Sequence, residues 1–153
     1  MIEITLDIRV VDEALRNLIN HIDDMTPAMR AIGEHIASEI DLTFRDGKDP
    51  YGNPWAPLSA VTIAKRRNRS NKPLNDTGAL KASITSNATP HSVKIGTNKE
   101  YAPTHQFGAK KGQYARNVPW GDVPARVFLP TSEQGLPDNW EREILDIIAR
   151  HLA

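Results

Sequence analysis

The chain has 153 residues, 39% hydrophobic and 25% charged, which is close to the composition of one average globular domain. It contains no cysteine, which excludes disulfides and thiolate metal sites, and no apolar run approaches the ~20 residues of a membrane span. The 19 basic and 19 acidic residues cancel but are segregated: residues 1–41 carry nine acids and three bases, whereas residues 42–99 carry three acids and ten bases.

The N-terminal region predicts a strand followed by a helix. Hydrophobic and polar residues alternate from Met1 to Ile8, a period of two that indicates a strand with one buried face. This order differs from the basic and then apolar order of a signal peptide. Apolar residues then recur at helical spacing over residues 12–23, with Asp12 as the expected N-cap.

A second, longer helix is predicted to begin at Thr26-Pro27. Thr26 is the expected cap, and proline suits the first helical position, where its missing N–H costs nothing. The helix should end near Arg45, because Asp46-Gly47 is a stop signal. Its apolar stripe consists of Met29, Ile32, Ile36, Ile40 and Phe44.

The middle of the chain is predicted to be rich in loops. Residues 46–58 contain three prolines and two glycines, which disfavour a regular element. A short helix is expected over residues 59–67, followed by a polar stretch over residues 68–75. Two β-like runs between Ser83 and Thr97, divided near Pro90, predict a hairpin.

The last third should contain short elements and a closing helix. We expect a turn or helix over residues 100–107, a long loop over residues 108–124 and a short strand over residues 127–129. Pro137-Asp138 begins a final helix with a wide apolar face. The whole predicts one α+β domain. Its parts are residues 1–45 with a strand and two helices, residues 46–136 with antiparallel strands and long loops, and residues 137–153 with the C-terminal helix.

One short motif raises the possibility of an enzyme. Asp76-Thr77-Gly78 spells the sequence of aspartic proteases, in which two carboxylates share a proton. The alternative is that Asp76 or Thr77 caps a short helix while Gly78 relaxes the backbone. The residues before Asp76 do not form the apolar strand that a protease requires, so the alternative is favoured.

No other arrangement predicts catalysis or a cofactor. The chain has neither a GxGxxG motif nor a P-loop, and its five histidines do not show the spacing of a zinc hydrolase. We therefore expect no catalytic residues, no cofactor, no metal and no small-molecule substrate.

The densest basic run is a candidate contact for nucleic acid. It has no acid within it and could neutralise phosphates without reading sequence. It has no aromatic residue on which bases could stack, so a solvated helix end is the competing interpretation. The five basic residues are Lys65, Arg66, Arg67, Arg69 and Lys72.

Five groups of residues occur in a recognisable order between about residues 40 and 130. They are Phe44-Arg45-Asp46-Gly47 with Asp49-Pro50-Tyr51-Gly52 and Trp55; Pro57-Leu58-Ser59 with Thr62, Lys65 and Arg66; Leu74 with Asp76-Thr77-Gly78, Leu80, Ser83 and Ile84; Gly96-Thr97-Asn98 with Tyr101-Ala102 and His105-Gln106-Phe107-Gly108; and Pro124-Ala125-Arg126 with Phe128-Leu129. Together they resemble the phage virion-morphogenesis family of Mu-like and related temperate phages, whose members are often called tail-completion proteins.

The resemblance implies an assembly role at the head–tail junction or the tail end. A member of this family is expected to bind copies of itself and other phage neck or tail proteins, in the virion or in the host cytoplasm during assembly. No catalytic residue carries over, and no membrane is implied.

The segregated charges agree with such a role. One acidic and one basic face would attract each other head-to-tail and could close a ring, unless the charges mix in space. In a ring, the basic run could line a channel for DNA. Aromatic residues and arginine in loops make good anchors for a partner. The interface candidates are Tyr51, Trp55, Trp120, Arg126, Phe128 and the loop from Lys110 to Trp120.

Overall fold

The computed structural model describes residues 2–7, 24–65, 72–74, 78–110 and 123–152. The elements in chain order are β1 (Ile2–Asp7), α1 (Thr26–Asp46), α2 (Ala60–Lys65), α3 (Ala79–Ala82), β2 (Thr85–Ala88), β3 (Ser92–Thr97), α4 (Ala102–Phe107) and α5 (Asp138–Leu152). Helices and strands in this mixture confirm the predicted α+β class. The helix predicted over residues 12–23 lies outside the described residues.

The three strands form one antiparallel sheet in the order β1-β3-β2. β1 pairs with β3 from Ile2 opposite Thr97 onward, and β2 forms the predicted hairpin with β3. Along β3, Val93 and Ile95 are buried whereas Lys94 between them is exposed, as one-sided burial requires. Among the described strands, β1 and β2 are the two edges of the sheet.

Helix α1 is the longest element, and both of its ends have a local cause. At its start Asp24, and not Thr26, supplies the acceptor: the Asp24 carboxylate accepts a 2.9 Å hydrogen bond from the Thr26 N–H. The prediction that Thr26 caps the helix is therefore wrong, since Thr26 is already its first residue. At the end, Gly47 has a φ of 66° and donates its N–H to the Thr43 carbonyl.

The core lies between the sheet, α1 and α5. The predicted stripe of α1 is buried, and Gly33 allows the helix to approach the sheet closely. A Cβ on Gly33 would lie 3.0 Å from both Ser86 and Val93. Helix α5 contributes Trp140, Ile144 and Ile148 to the same core.

Two predictions for the last third have different outcomes. The turn or helix predicted over residues 100–107 is confirmed as α4. The short strand predicted over residues 127–129 is wrong, because this segment is irregular and pairs with no strand of the described residues. Its N–H groups bind the side chain of Gln106 in place of a neighbouring strand. None of the described helices is long and apolar enough to cross a membrane.

Candidate protein interface

The loop after α1 is organised by one aspartate. Asp49 Oδ1 accepts hydrogen bonds from the backbone N–H groups of Tyr51 (2.9 Å) and Asn53 (2.8 Å). Asp49 Oδ2 accepts a third from the Asn53 side-chain amide at 3.0 Å. A glycine with a φ of 93° at Gly52 permits the tight turn between them. The carboxylate is thus occupied by N–H donors, which is the arrangement of a structural turn.

Tyr51 joins this loop to the segment that precedes α5. Its hydroxyl accepts a 2.9 Å hydrogen bond from the Thr131 N–H and donates one to the Gly135 carbonyl. These partners are 80 or more residues away in sequence. The phenol therefore fixes the position of two loops relative to each other.

Trp55 makes a second connection between the same two segments. Its indole Nε1–H donates to the Val127 carbonyl at 2.7 Å, and its ring packs edge-on against Phe44 with centroids 5.5 Å apart. Phe128 packs against the other side of this cluster, 5.6 Å from Phe44, and is fully buried. Three aromatic rings consequently form one end of the core.

Arg126 makes the third connection. Its Nε donates to the Ala56 carbonyl at 2.8 Å, and its Nη2 donates to the Pro57 carbonyl at 3.1 Å. The backbone N–H of Arg126 donates to the His105 carbonyl at 2.7 Å. The guanidinium thus stabilises backbone carbonyls that a proline-rich loop cannot pair in a strand.

Gln106, which the sequence did not single out as a site residue, completes the arrangement. Its Oε1 accepts from the N–H groups of Phe128 (3.0 Å) and Leu129 (3.1 Å), and its Nε2 donates to the Leu129 carbonyl at 2.8 Å. The side chain is 3% exposed. We name residues 47–57 and 124–136, with these connecting side chains, the loop clamp.

Four of the five predicted interface residues therefore meet in the loop clamp, and Trp120 lies outside the described residues. Trp55, Arg126 and Phe128 are buried in the chain, and Tyr51 is half-buried. Their direct contact with a partner stays a prediction. What the structure adds is that they hold two loops in place.

Exposed aromatic side chains lie on α4 and just before it. Phe107 is 63% exposed and Tyr101 is 43% exposed, and these are the large hydrophobic residues that the described surface presents. Phe107 is the last residue of α4, one position after the buried Gln106. An aromatic ring held on the surface by a rigid element is a typical anchor for another protein.

Phe107 borders a groove along the free side of β1. The groove has a volume of about 1030 Å³ and runs between β1 and residues 125–136. Of the described residues that line it, none is Lys or Arg, whereas four are acidic. The acidic residues are Glu3, Glu133, Asp138 and Glu141; the apolar ones include Ile2, Ile4, Phe107, Val127 and Leu136. We name this space the edge groove.

The basic run and the protease-like motif fall mostly outside the described residues. Lys65 ends α2 and Lys72 is exposed, while Arg66, Arg67 and Arg69 are outside the description. Asp76 and Thr77 are likewise outside it. Gly78 has a φ of 77°, in agreement with the role of relaxing the backbone. It is itself the N-cap of α3, so the prediction that Asp76 or Thr77 caps this helix is wrong.

Two carboxylates have lowered pKa values, and both belong to helix ends. Hydrogen bonds from Thr26 hold the pKa of the Asp24 carboxyl below its ordinary value, and a hydrogen bond from Arg45 does the same for Asp46.

Within the described part of the chain, no group of three or more His, Asp or Glu residues is placed to hold a metal ion. The described geometry therefore offers binding surfaces and structural contacts.

Comparison with known proteins points to one family. Residues 6–153 match the sequence profile of the phage virion morphogenesis family. The chain is 34% identical over 139 residues to the Mu-like prophage FluMu G protein 2 of Haemophilus influenzae, with 90% of each chain covered. It is 29% identical over 154 residues to the putative capsid assembly protein G of Escherichia phage Mu, with 98% of this chain and 93% of that protein covered. No solved structure gives a significant match.

Proposed function

The chain belongs to the phage virion morphogenesis family, and from this premise we propose that it completes the joint between head and tail by binding other virion proteins. The match over residues 6–153, nearly the whole chain, carries the assembly role. The loop clamp and the exposed aromatic residues beside it support the manner of action, since they present a rigid surface for contacts.

A position at the joint accounts for the names of its relatives. The similar protein of phage Mu is named for capsid assembly, and the family description refers to the virion as a whole. A protein at the junction touches both the head and the tail, so its loss should leave heads and tails unjoined. We place its action in the host cytoplasm during assembly and in the finished virion thereafter.

The contact surface that we propose is centred on Phe107. Its ring is the most exposed large hydrophobic side chain in the described part, and α4 is fixed beneath it by Gln106. Tyr51, Trp55, Arg126 and Phe128 support this surface through the loop clamp, and Trp120 stays a candidate from the sequence. Burial of one aromatic anchor at an interface contributes about 2 kcal/mol or more of binding free energy.

The test is to remove the gene from its phage or prophage and examine the lysate by electron microscopy. We expect full heads and separate tails, and we expect added purified protein to restore infectious particles. Normal particles in the absence of the protein would refute an assembly role. Absence of any capsid would place the action earlier than joining and contradict the proposed step.

Point variants connect the function to the surface. Phe107→Ser should keep the fold, because the ring is mostly exposed, and should lower the yield of restored particles at least about tenfold. The matched control is Asn87→Ser, an exposed residue on β2 that does not line the edge groove, which should restore particles normally. Equal yields for both variants would contradict the proposed surface.

Contact with DNA through residues 65–72 is the second candidate. Its support is the run of five basic residues with no acidic residue among them, together with the exposure of Lys72. A gel shift with DNA, in which the five basic residues of the chain are replaced by serine, tests this candidate. Binding that is unchanged by the replacement, or absent in the wild type, removes this candidate.

A further inference from the structure

The edge groove combines three properties of a peptide-binding site. First, β1 is an edge strand, and among the described residues no backbone group pairs with its outer side. Alternate N–H and C=O groups of such a strand are free to bind another extended segment. Second, Ile2 and Ile4 are half-buried and so retain apolar surface toward the groove. Third, the rim is acidic.

We propose that the edge groove of one copy binds residues 110–120 of a second copy, the loop predicted from the sequence, as a strand added to β1. This inference rests on the proposed assembly function and identifies the contact between copies. Strand addition is a common mode of peptide recognition, in which backbone hydrogen bonds give affinity and alternate side chains give specificity.

The charges of the loop complement those of the groove. Residues 109–121 contain Lys110, Lys111 and Arg116 and no acid, whereas the described lining of the groove contains four acids and no base. The loop also carries Tyr114 and Val118, which could occupy the apolar floor. Opposite charges across a contact raise the association rate and select the partner.

The two ends of the predicted loop are joined to each other by a β-bridge, which limits how far the loop can reach. Ala109 and Val123 exchange two backbone hydrogen bonds, of 2.9 and 2.7 Å. The 13 residues between them can extend at most about 25 Å from this pair. A contact between the groove of one copy and this segment of the next copy is head-to-tail, so it repeats from copy to copy and closes a ring when the rotation allows.

Paired charge reversals test the proposal. The groove variant is Glu133→Lys with Glu141→Lys, and the loop variant is Lys111→Glu with Arg116→Glu. Both groove residues are exposed, so the fold should tolerate the change. The matched control, Glu34→Lys with Glu100→Lys, alters two exposed acids that do not line the groove.

Purified full-length chains are compared by sedimentation velocity, with circular dichroism to verify folding. We expect the wild type and the control to associate. Each variant alone should associate at least about tenfold more weakly, because like charges then meet in the contact. An equimolar mixture of the two variants should regain wild-type association, since it contains one native and one reversed contact. The association should weaken from about 0.1 M to about 1 M salt, as the Debye length falls from roughly 10 Å to 3 Å.

Hydrogen exchange supplies a second measurement should a variant fold poorly. Amides on the outer side of β1 should exchange more slowly in the associated wild type than at dilutions that dissociate it. A mixture that fails to regain association overturns the proposal. The proposal is also overturned if the wild type is monomeric and either charge reversal lowers its melting temperature. That result would mean that the loop fills the groove of its own chain.

The outcomes separate this contact from the proposed function. A wild type that is monomeric at all concentrations, yet still joins heads to tails, refutes the second copy and leaves the function intact. Association that requires the groove, in a phage that assembles normally without the protein, refutes the function and leaves the contact intact.

Discussion

Replacing Gln106 by leucine should remove the contact that holds the loop clamp on α4. The side chain binds three backbone groups: the N–H groups of Phe128 and Leu129 and the Leu129 carbonyl. Leucine has a similar volume, so packing should be largely kept while these three buried groups lose their partner. Each unsatisfied buried group costs about 1–3 kcal/mol.

The expected loss in the free energy of unfolding is therefore about 3–9 kcal/mol, a large share of the roughly 5–15 kcal/mol that a domain possesses. For a chain of this length it corresponds to a fall in melting temperature of about 10 °C or more. Urea unfolding followed by circular dichroism measures the change, and the denaturant slope should stay constant.

The matched control is Gln134→Leu, an exposed glutamine of the same segment, which should change stability by less than about 0.5 kcal/mol. A loss below about 1 kcal/mol for Gln106→Leu would refute the reasoning. It would mean that water or another group satisfies the segment, and that the amide does not replace a strand.

Three further changes test other contacts. Trp55→Phe should lower the free energy of unfolding in urea by about 1 kcal/mol, because it removes the indole N–H that donates to the part-buried Val127 carbonyl. Gly96→Ala should detach β1 from β3, since a Cβ at residue 96 would lie 2.5 Å from the Cβ of Glu3. The backbone amides of β1 should then exchange faster than in the wild type, and an unchanged exchange rate would contradict this expectation. Asp24→Ala should lower the melting temperature at neutral pH. Folding lowers the pKa of the Asp24 carboxyl, so its contribution to stability is present above the ordinary value of 3.8 and is lost as the pH falls through the folded value. The melting temperatures of the variant and the wild type should therefore converge in acid. A difference that stays constant with pH would contradict the role of the charge.

The sequence predicted the elements whose cause is local. Alternation predicted β1, the hairpin followed from its β-like runs, and the stripe with Gly47 predicted α1 and its end. The segment over residues 127–129 resembles a strand in sequence but is irregular, because an apolar run does not reveal what its backbone binds. Here the partner is a side chain about 22 residues earlier, and spacing in sequence carries no signal for it.

The sequence alone does not separate two roles of the candidate interface residues, for a related reason. Aromatic residues and arginine in a loop suit an external anchor, but they also suit an internal connection between two irregular segments. Trp55 and Arg126 make such connections to carbonyls some 70 residues distant. Burial decides between the two roles, and burial of a loop depends on the whole fold. The exposed Phe107 and the edge groove likewise arise from the way that distant parts of the chain meet.

The long-range connections of the loop clamp also bear on the order in which contacts form during folding. Tyr51, Trp55 and Arg126 each link the loop after α1 to the region just before α5, across 69 to 84 positions. Such contacts form only after a large loop of chain has closed, so they are late steps in folding. A nascent or truncated polypeptide that ends before residue 126 lacks the partners that order the first loop. The virion would thus receive subunits whose synthesis is essentially finished, because unfinished ones do not display the surface.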